Sequence, residues 1–143
     1  MTREFVYGNA DGHRDAVATV TAIYEAFARR DVEAAITHLS EDCEFVPSGT
    51  NERIKRTEPY LGHEGVREYF ADSARVWSEL TLYADSIRAA TAGVVVFGRA
   101  IGRSDGELVQ RRVVWTWRVR DGCATSMRVS ILGDIQPADD PPA

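Results

Sequence analysis

Residues 111–122 read Arg-Arg-Val-Val-Trp-Thr-Trp-Arg-Val-Arg-Asp-Gly, and this stretch decides the fold class of the chain. Over most of it, apolar side chains alternate with polar ones, and Val114 is the exception. A period of two predicts a β-strand with one buried face. Trp115 and Trp117 share that face. The face is therefore either plain core or the wall of a ligand cavity.

The bulk composition fits one globular domain. The chain has 143 residues, 44% of them hydrophobic and 27% charged, with a formal net charge of −5. The negative charge argues against nucleic acid and anionic membranes as partners. No apolar run is long enough to span a bilayer and no leader segment is evident, so we expect a cytoplasmic protein. Cys43 and Cys123 are far apart and show no metal-binding spacing, so no metal or other cofactor is expected.

The chain divides into an N-terminal half with helical periodicity and a C-terminal half of consecutive strands. The predicted domain covers 13–132, after an arm at 1–12 and before a flexible tail at 133–143. Helices are predicted at 13–29, 32–39 and 64–77. Strands are predicted at 43–46, 80–89, 94–103, 107–119 and 123–132. The polar segment 48–59 is predicted to be a loop or a poorly formed edge strand.

This order predicts an α+β fold in which three N-terminal helices pack on a mostly antiparallel sheet. The helices cover one face only, so the sheet must curve around them. We expect the strand containing Trp115 to contribute to the concave face of this cone-shaped sheet.

Two hairpins fix the neighbours of the tryptophans. A three-residue loop at 120–122 would set Trp115 opposite Met127 and keep the bulky residues on one face. A two-residue turn at 105–106 would set Gly98 opposite Val113 and leave space beside Trp115. We favour this turn over a three-residue loop there, which would bring Phe97 onto the tryptophan face. The alternative explanation of the glycines is that they mark the bend of a curled sheet.

The convex face of the same sheet is predicted to be half apolar. Among the arginines of the two central strands it carries Val95, Phe97, Ile101 and Val114. A face of this kind is typical of an oligomer interface, and an isologous homodimer is the simplest form. A solvated basic face is the alternative.

Several segments of the chain resemble SnoaL-like domains of the nuclear transport factor 2-like superfamily. The similar segments are Ala-Arg-Arg-Asp-Val-Glu-Ala-Ala at 28–35, Leu-Ser-Glu-Asp-Cys-Glu-Phe at 39–45, Tyr-Leu-Gly-His-Glu-Gly-Val-Arg-Glu-Tyr-Phe at 60–70 and the Trp-Thr-Trp strand at 114–122. The resemblance covers about 13–132. It implies the cystatin-like, nuclear transport factor 2-like α+β barrel, with a pocket inside the cone and usually a dimer.

The resemblance also implies a range of activities, because its members include polyketide cyclases, ketosteroid isomerases, epoxide hydrolases, dehydratases and binding proteins. An isomerase-like general base would fall at about position 47, which is Pro47 in this chain. The isomerase-like acid would fall at about position 115, which is Trp115. The Arg-x-Asp of the epoxide hydrolases matches 103–105 only in letters, because that segment is a turn. The second hydrolase aspartate would fall near Val129. Isomerase chemistry with that base and acid, and epoxide hydrolase chemistry, are therefore not expected.

Three polar residues are the candidates for catalysis. Arg111 is the charged residue of the tryptophan face, where it would bind a carboxylate or enolate oxygen. Tyr24 lies beside the buried stripe of the first helix and would donate a hydrogen bond to a ligand carbonyl. His63 begins the third helix and would act as a base at the pocket mouth. Their alternative roles are, respectively, a solvated sheet-edge arginine, a core tyrosine and an exposed histidine.

We predict a pocket for a small, largely apolar molecule inside the cone. Its predicted lining is Phe27, Phe45, Tyr60, Phe70, Trp77, Gly98, Val113, Trp115, Trp117, Met127 and Val129. Chemistry of the cyclase, isomerase or dehydratase type is compatible with this prediction. The alternative is a non-catalytic interaction module that uses the convex face.

Overall fold

The computed structural model describes the backbone of residues 2–135 and the side chains of residues 15–135. Within that range the chain forms four helices: α1 (Thr2–Ala28), α2 (Val32–Ile36), α3 (Ser48–Ile54) and α4 (Gly62–Val76). It also forms six strands: β1 (Leu39–Val46), β2 (Tyr60–Leu61), β3 (Glu79–Ala90), β4 (Gly93–Ser104), β5 (Glu107–Arg120) and β6 (Cys123–Asp134). Of the predicted tail, 136–143 lie outside the described residues. None of the four described helices is long and apolar enough to cross a bilayer.

The strands form one open sheet in the order β2-β1-β6-β5-β4-β3. All neighbours are antiparallel except β1 and β6, which are parallel. Helices α1 and α4 pack against the concave side, which confirms the predicted α+β cone. The number of helices differs from the prediction, because α3 forms within the segment expected to be a loop.

The first helix begins earlier than predicted. Its backbone is helical from Thr2, so residues 2–12 of the expected arm are part of α1. Gly8 and Gly12 suggested the arm. Each glycine costs a helix interior only about 1 kcal/mol relative to alanine. A helix of 27 residues can carry that cost.

The junction between α1 and α2 follows the local sequence. Two backbone hydrogen bonds close α1, from Asp31 N to Ala26 O at 2.9 Å and from Arg30 N to Phe27 O at 3.0 Å. This is a Schellman motif with Arg30 in the left-handed conformation, φ +57°. Asp31 then caps α2, because its Oδ1 accepts a hydrogen bond from Ala34 N at 3.0 Å, as predicted.

Helix α3 was missed because it is too short to show a hydrophobic period. It is held by tertiary hydrogen bonds instead. Ser48 Oγ donates to Val129 O at 2.8 Å, and Trp77 Nε1 donates to Thr50 Oγ1 at 3.1 Å. Lys55 ends the helix in the left-handed conformation. These contacts attach α3 to β6 and to Trp77, and so they hold α3 over the concave side of the sheet.

The turn between β4 and β5 has the predicted register. Gly98 pairs with Val113, and Val96 pairs with Trp115. The two-residue turn at Asp105 and Gly106 is therefore confirmed. Small residues of β4 oppose large residues of β5, which allows the sheet to bend beside Trp115.

The predicted register between β5 and β6 was wrong. A two-residue turn pairs Arg120 with Cys123, and a bulge follows, so that Trp117 pairs with Met127 and Trp115 with Val129. The extra residue in the bulge shifts the pairing by one position. It restores the apolar face that an unbroken two-residue hairpin would have reversed.

Of the four apolar side chains predicted for the convex face, one is exposed and three are partly buried. Phe97 is 46% exposed, whereas Val95, Ile101 and Val114 are partly buried. Beside Phe97, Arg99 forms an ion pair with an acidic residue of β3. The face therefore combines apolar area with paired charge.

Candidate functional site

A cavity lies on the concave side, between the sheet and helices α1, α3 and α4. The space open to the centre of a water molecule is about 70 Å³. It would hold a few waters or a compact apolar ligand, and it is small beside the roughly 300–1,000 Å³ of common ligand pockets. We call it the cone cavity.

Aromatic and aliphatic side chains from most elements line the cone cavity. Six residues of the predicted lining are among them: Phe27, Trp77, Val113, Trp115, Met127 and Val129. Trp115 and Val129 are opposite each other on β5 and β6. The tryptophan strand thus contributes a cavity wall, but only through one of its two tryptophans.

Three predicted lining residues belong to the solid core instead. Trp117, Phe45 and Tyr60 are almost completely buried. The rings of Trp117 and Phe45 are 5.7 Å apart in an edge-on arrangement. The helices fill the space in front of these residues, whereas the space in front of Trp115 is left partly open.

The Tyr60 hydroxyl is used structurally. It donates a hydrogen bond to Asp72 Oδ2 at 2.8 Å, and Arg75 pairs with the same carboxylate. Burial, together with the hydrogen bond to Asp72, raises the pKa of Tyr60. Burial opposes ionisation of Asp72, but the contacts with Tyr60 and Arg75 outweigh it and lower its pKa. The pair joins β2 to α4 outside the cone cavity.

Gly98 lies beside Trp115 but does not line the cone cavity. A Cβ atom at this position would be 1.8 Å from the Tyr83 carbonyl oxygen and 3.0 Å from Trp115 Cζ3. The space left by its missing side chain is therefore occupied by the backbone of β3. The glycine permits close packing of the strands and does not itself leave an opening.

Arg111 lines the cone cavity, as the candidate assignment requires, but it already has two carboxylate partners. Its Nη1 donates to Glu52 Oε2 of α3 at 3.1 Å, and its Nε is 3.3 Å from Asp134 Oδ1 of β6. The side chain is 28% exposed. Any ligand anion at Arg111 would compete with both carboxylates.

Tyr24 and His63 do not meet Arg111 in the cone cavity. The Tyr24 hydroxyl accepts a hydrogen bond from Trp117 Nε1 at 3.1 Å, and burial raises the pKa of Tyr24 well above its usual value. His63 Nε2 donates to the Leu39 carbonyl oxygen at 2.8 Å and lines neither interior cavity. The three candidates therefore do not form one catalytic group.

Sequence reasoning missed the contribution of α3 and the start of β3. Pro47, Gly49 and Thr50 line the cone cavity, and so do Leu80 and Leu82. The alternation of leucine with polar residues at 80–82 was a usable signal for the two leucines. No local pattern indicated the others, because their position depends on the tertiary contacts of α3.

A second interior cavity adjoins the first. Its space open to the centre of a water molecule is about 190 Å³. The two cavities share four lining residues, Phe27, Tyr69, Leu80 and Leu82. We call this space the outer chamber. Its remaining lining comes from Tyr24, Ala28, Arg30, Phe70, Ser73 and Thr81.

The predicted ligand-pocket residue Phe70 faces the outer chamber, and its ring is 5.2 Å from that of Phe27 in an edge-on arrangement. Tyr69, on the shared wall, has its pKa raised by burial, whereas hydrogen bonds with Thr50 and Ser73 and the field of Arg30 oppose that rise. The shared wall is therefore aromatic, with one hydroxyl that already has partners.

The cone cavity offers little acid–base chemistry. None of its described lining residues is Asp, Glu or His. Pro47, Trp115 and Val129 line it at the three places that the resemblance assigned to carboxylates, and Asp105 is a turn residue with φ +52°. What the lining offers a ligand is apolar contact, the hydroxyls of Thr50 and Tyr69, and one paired guanidinium at Arg111.

Comparison with known proteins gives the family. A model of the SnoaL-like domain matches residues 20–127, which is more than half of the chain. The protein therefore belongs to the SnoaL-like domain family. Among curated proteins, none matches the sequence.

Solved structures agree with this fold. An NTF2-like protein of unknown function from Burkholderia pseudomallei is 24% identical, with a TM-score of 0.73, over 82% of this chain and 90% of the other. TerC, co-crystallized with polyporic acid, is 28% identical, with a TM-score of 0.73, over 82% of this chain and 91% of TerC. An LEH-like epoxide hydrolase from M. tuberculosis is 19% identical, with a TM-score of 0.67, over 84% of both chains. The first and third likenesses concern the fold alone.

Proposed function

We propose that the protein binds a small, largely apolar molecule in the cone cavity. The observation that supports this proposal is a cavity inside the fold, whose wall is formed by Trp115, Trp77 and aliphatic side chains. Its limited volume favours a compact ring system over a large polycycle. Such apolar lining with few polar groups is typical of ligand sites.

Catalysis of the cyclase, isomerase or dehydratase type would have to use Arg111 and the hydroxyls of Thr50 and Tyr69, since the described lining residues include no carboxylate. Arg111 would stabilise a developing enolate oxygen, after releasing Glu52 or Asp134. Binding without turnover needs no such rearrangement. We therefore propose ligand binding as the primary function and turnover as an additional activity of the same site.

A cavity-filling substitution tests the site. Ala100 lines the cone cavity opposite Arg111 on the neighbouring strand. Ala100→Leu is expected to weaken binding of the neutral probe N-phenyl-1-naphthylamine about tenfold, because the larger side chain occupies the ligand's space. The measurement is energy transfer from the cavity tryptophans to the probe. Polyporic acid, the compound present with TerC, is the second probe, assayed by displacement.

Ala89→Leu is the matched control, because it makes the same change at an exposed position of β3. It should leave the dissociation constant within about twofold. Equal binding by wild type and Ala100→Leu, with both variants folded by circular dichroism, would contradict the proposed site.

We further propose a homodimer formed through the convex face. The exposed Phe97 and its partly buried neighbours support this assignment, since exposed apolar area of this kind is costly in a monomer. The non-catalytic interaction module, which would use the same face for another protein, is the competing proposal. The proposed compartment is the cytoplasm, consistent with free thiols at Cys43 and Cys123.

Phe97→Arg is expected to convert the dimer to a monomer at tens of micromolar protein, because it introduces an unpaired charge into an apolar contact. Light scattering after size exclusion measures the mass. Leu61→Arg, an equally apolar exposed site on the opposite sheet edge, is the control and should keep the dimer mass. A wild-type monomer would refute the dimer and favour the interaction module.

A further inference from the structure

We propose that the outer chamber binds the anionic end of an aromatic acid, with the guanidinium of Arg30 as its partner. The aromatic part of the same ligand would lie across the shared wall toward the cone cavity. This inference rests on the proposed function and adds a second site and a ligand class to it.

The two cavities are adjacent and share one wall. Phe27, Tyr69, Leu80 and Leu82 border both, so these side chains are the partition between them. The outer chamber is the larger space, about 190 Å³ against about 70 Å³. A ring system too long for the cone cavity alone would therefore extend past the partition, toward Arg30.

Arg30 is more available to an anion than Arg111 is. Arg30 Nη2 donates to the Leu80 carbonyl oxygen at 2.5 Å, and among the described side chains no carboxylate forms an ion pair with Arg30. Arg111, in the cone cavity, is held between Glu52 and Asp134. A ligand carboxylate would meet less competition at Arg30.

The backbone at Arg30 supports a role for its side chain. The residue occupies the left-handed position of the Schellman motif that ends α1, where glycine is usual because it has no Cβ. The chain instead has arginine there, whose side chain extends across the outer chamber to β3. A non-glycine residue in this conformation is a reason to look for a role of its side chain.

Two fluorescent probes separate charge from shape. 8-Anilinonaphthalene-1-sulfonate and N-phenyl-1-naphthylamine share their rings and differ by the sulfonate. In wild type, the sulfonate probe should bind more tightly, and its advantage should shrink with added salt, because the Arg30 contact is exposed.

Arg30→Gly is the decisive variant, because glycine preserves the Schellman motif and should not lower the unfolding midpoint. It should raise the dissociation constant of the sulfonate probe about fivefold to tenfold and keep that of the neutral probe within about twofold of the wild-type value. Arg30→Lys should retain part of the sulfonate advantage. Lys55→Gly is the control. It also removes a cation from a left-handed helix end, but Lys55 lines neither cavity, and both probes should bind it like wild type.

Equal losses for the two probes in Arg30→Gly, or an equal loss of the sulfonate probe in Lys55→Gly, would overturn the inference. If the neutral probe still binds and is weakened by Ala100→Leu in that case, the proposed function stands and only the role of Arg30 fails. Absence of binding of both probes to wild type would overturn the two proposals together.

Discussion

Gly98→Ala is expected to destabilise the fold by about 3 kcal/mol or more, at the upper end of the cost of overpacking. The added Cβ would lie 1.8 Å from the Tyr83 carbonyl oxygen, a backbone atom that cannot rotate away. Relief requires β3 and β4 to separate next to their bulge, with loss of hydrogen bonds, and Trp115 blocks the remaining direction. Urea unfolding followed by far-UV circular dichroism measures the loss.

Gly49→Ala is the matched control. A Cβ at Gly49 meets no atom within 4 Å, and this residue is within helix α3. Alanine should therefore be neutral or stabilise by up to about 1 kcal/mol. A loss at Gly98 no larger than about 1 kcal/mol would show that the sheet does not depend on the close approach of β3.

Trp117→Ala is expected to cost about 3–5 kcal/mol of unfolding free energy. The indole is 1% exposed, packs edge-on against Phe45, and donates its N–H to the Tyr24 hydroxyl. Truncation leaves a large void and a buried hydroxyl without its donor. Because a domain of this size is stable by only about 5–15 kcal/mol, much of the fold's margin would be lost.

Thr116→Ala, the next residue on the same strand, is the control. Thr116 faces the convex side and is exposed, so the unfolding free energy of the variant should stay within about 0.5 kcal/mol of the wild-type value. Thermal unfolding of the three proteins gives the comparison. Similar midpoints for Trp117→Ala and wild type would mean that Trp117 is not a core residue, contrary to its packing.

Trp115 and Trp117 show why the tryptophan strand matters for function. Both lie on the concave face, yet one fills the core and the other borders a cavity. The difference arises from what opposes each ring. Tyr24 packs against both rings, but Phe45 also covers Trp117, whereas the space beside Trp115 continues toward α3 and the start of β3.

The SnoaL-like domain family includes enzymes as well as binding proteins. The residues inside the cone therefore determine which of the two functions a member has. In this chain the cone cavity has apolar side chains where the resemblance would put carboxylates. Arg111 lines this cavity and is held by two carboxylates, whereas Arg30 lines the adjoining outer chamber and, among the described side chains, pairs with no carboxylate. If both proposals hold, we expect an anionic ligand to direct its charge toward Arg30.

The local pattern of the sequence was sufficient for the main elements. Alternation of period two located β5 and its buried face, because side chains of a strand point to opposite sides whatever surrounds them. The same rule located the convex apolar face, and Asp31 marked the start of α2. The turn at Asp105 and Gly106 fixed the pairing of β4 with β5, since a short turn leaves little freedom of register.

Other features depended on contacts between distant segments. The bulge in β6 set the partners of Trp115 and Trp117, because the gain from burying both rings exceeds the cost of one disrupted ladder position. Helix α3 formed through hydrogen bonds to Val129 and Trp77 and carries no pattern of its own. The sequence by itself therefore determined which residues face the inside of the cone, and only tertiary packing decided which of them border open space, since a void depends on what fails to fill it from the opposite side.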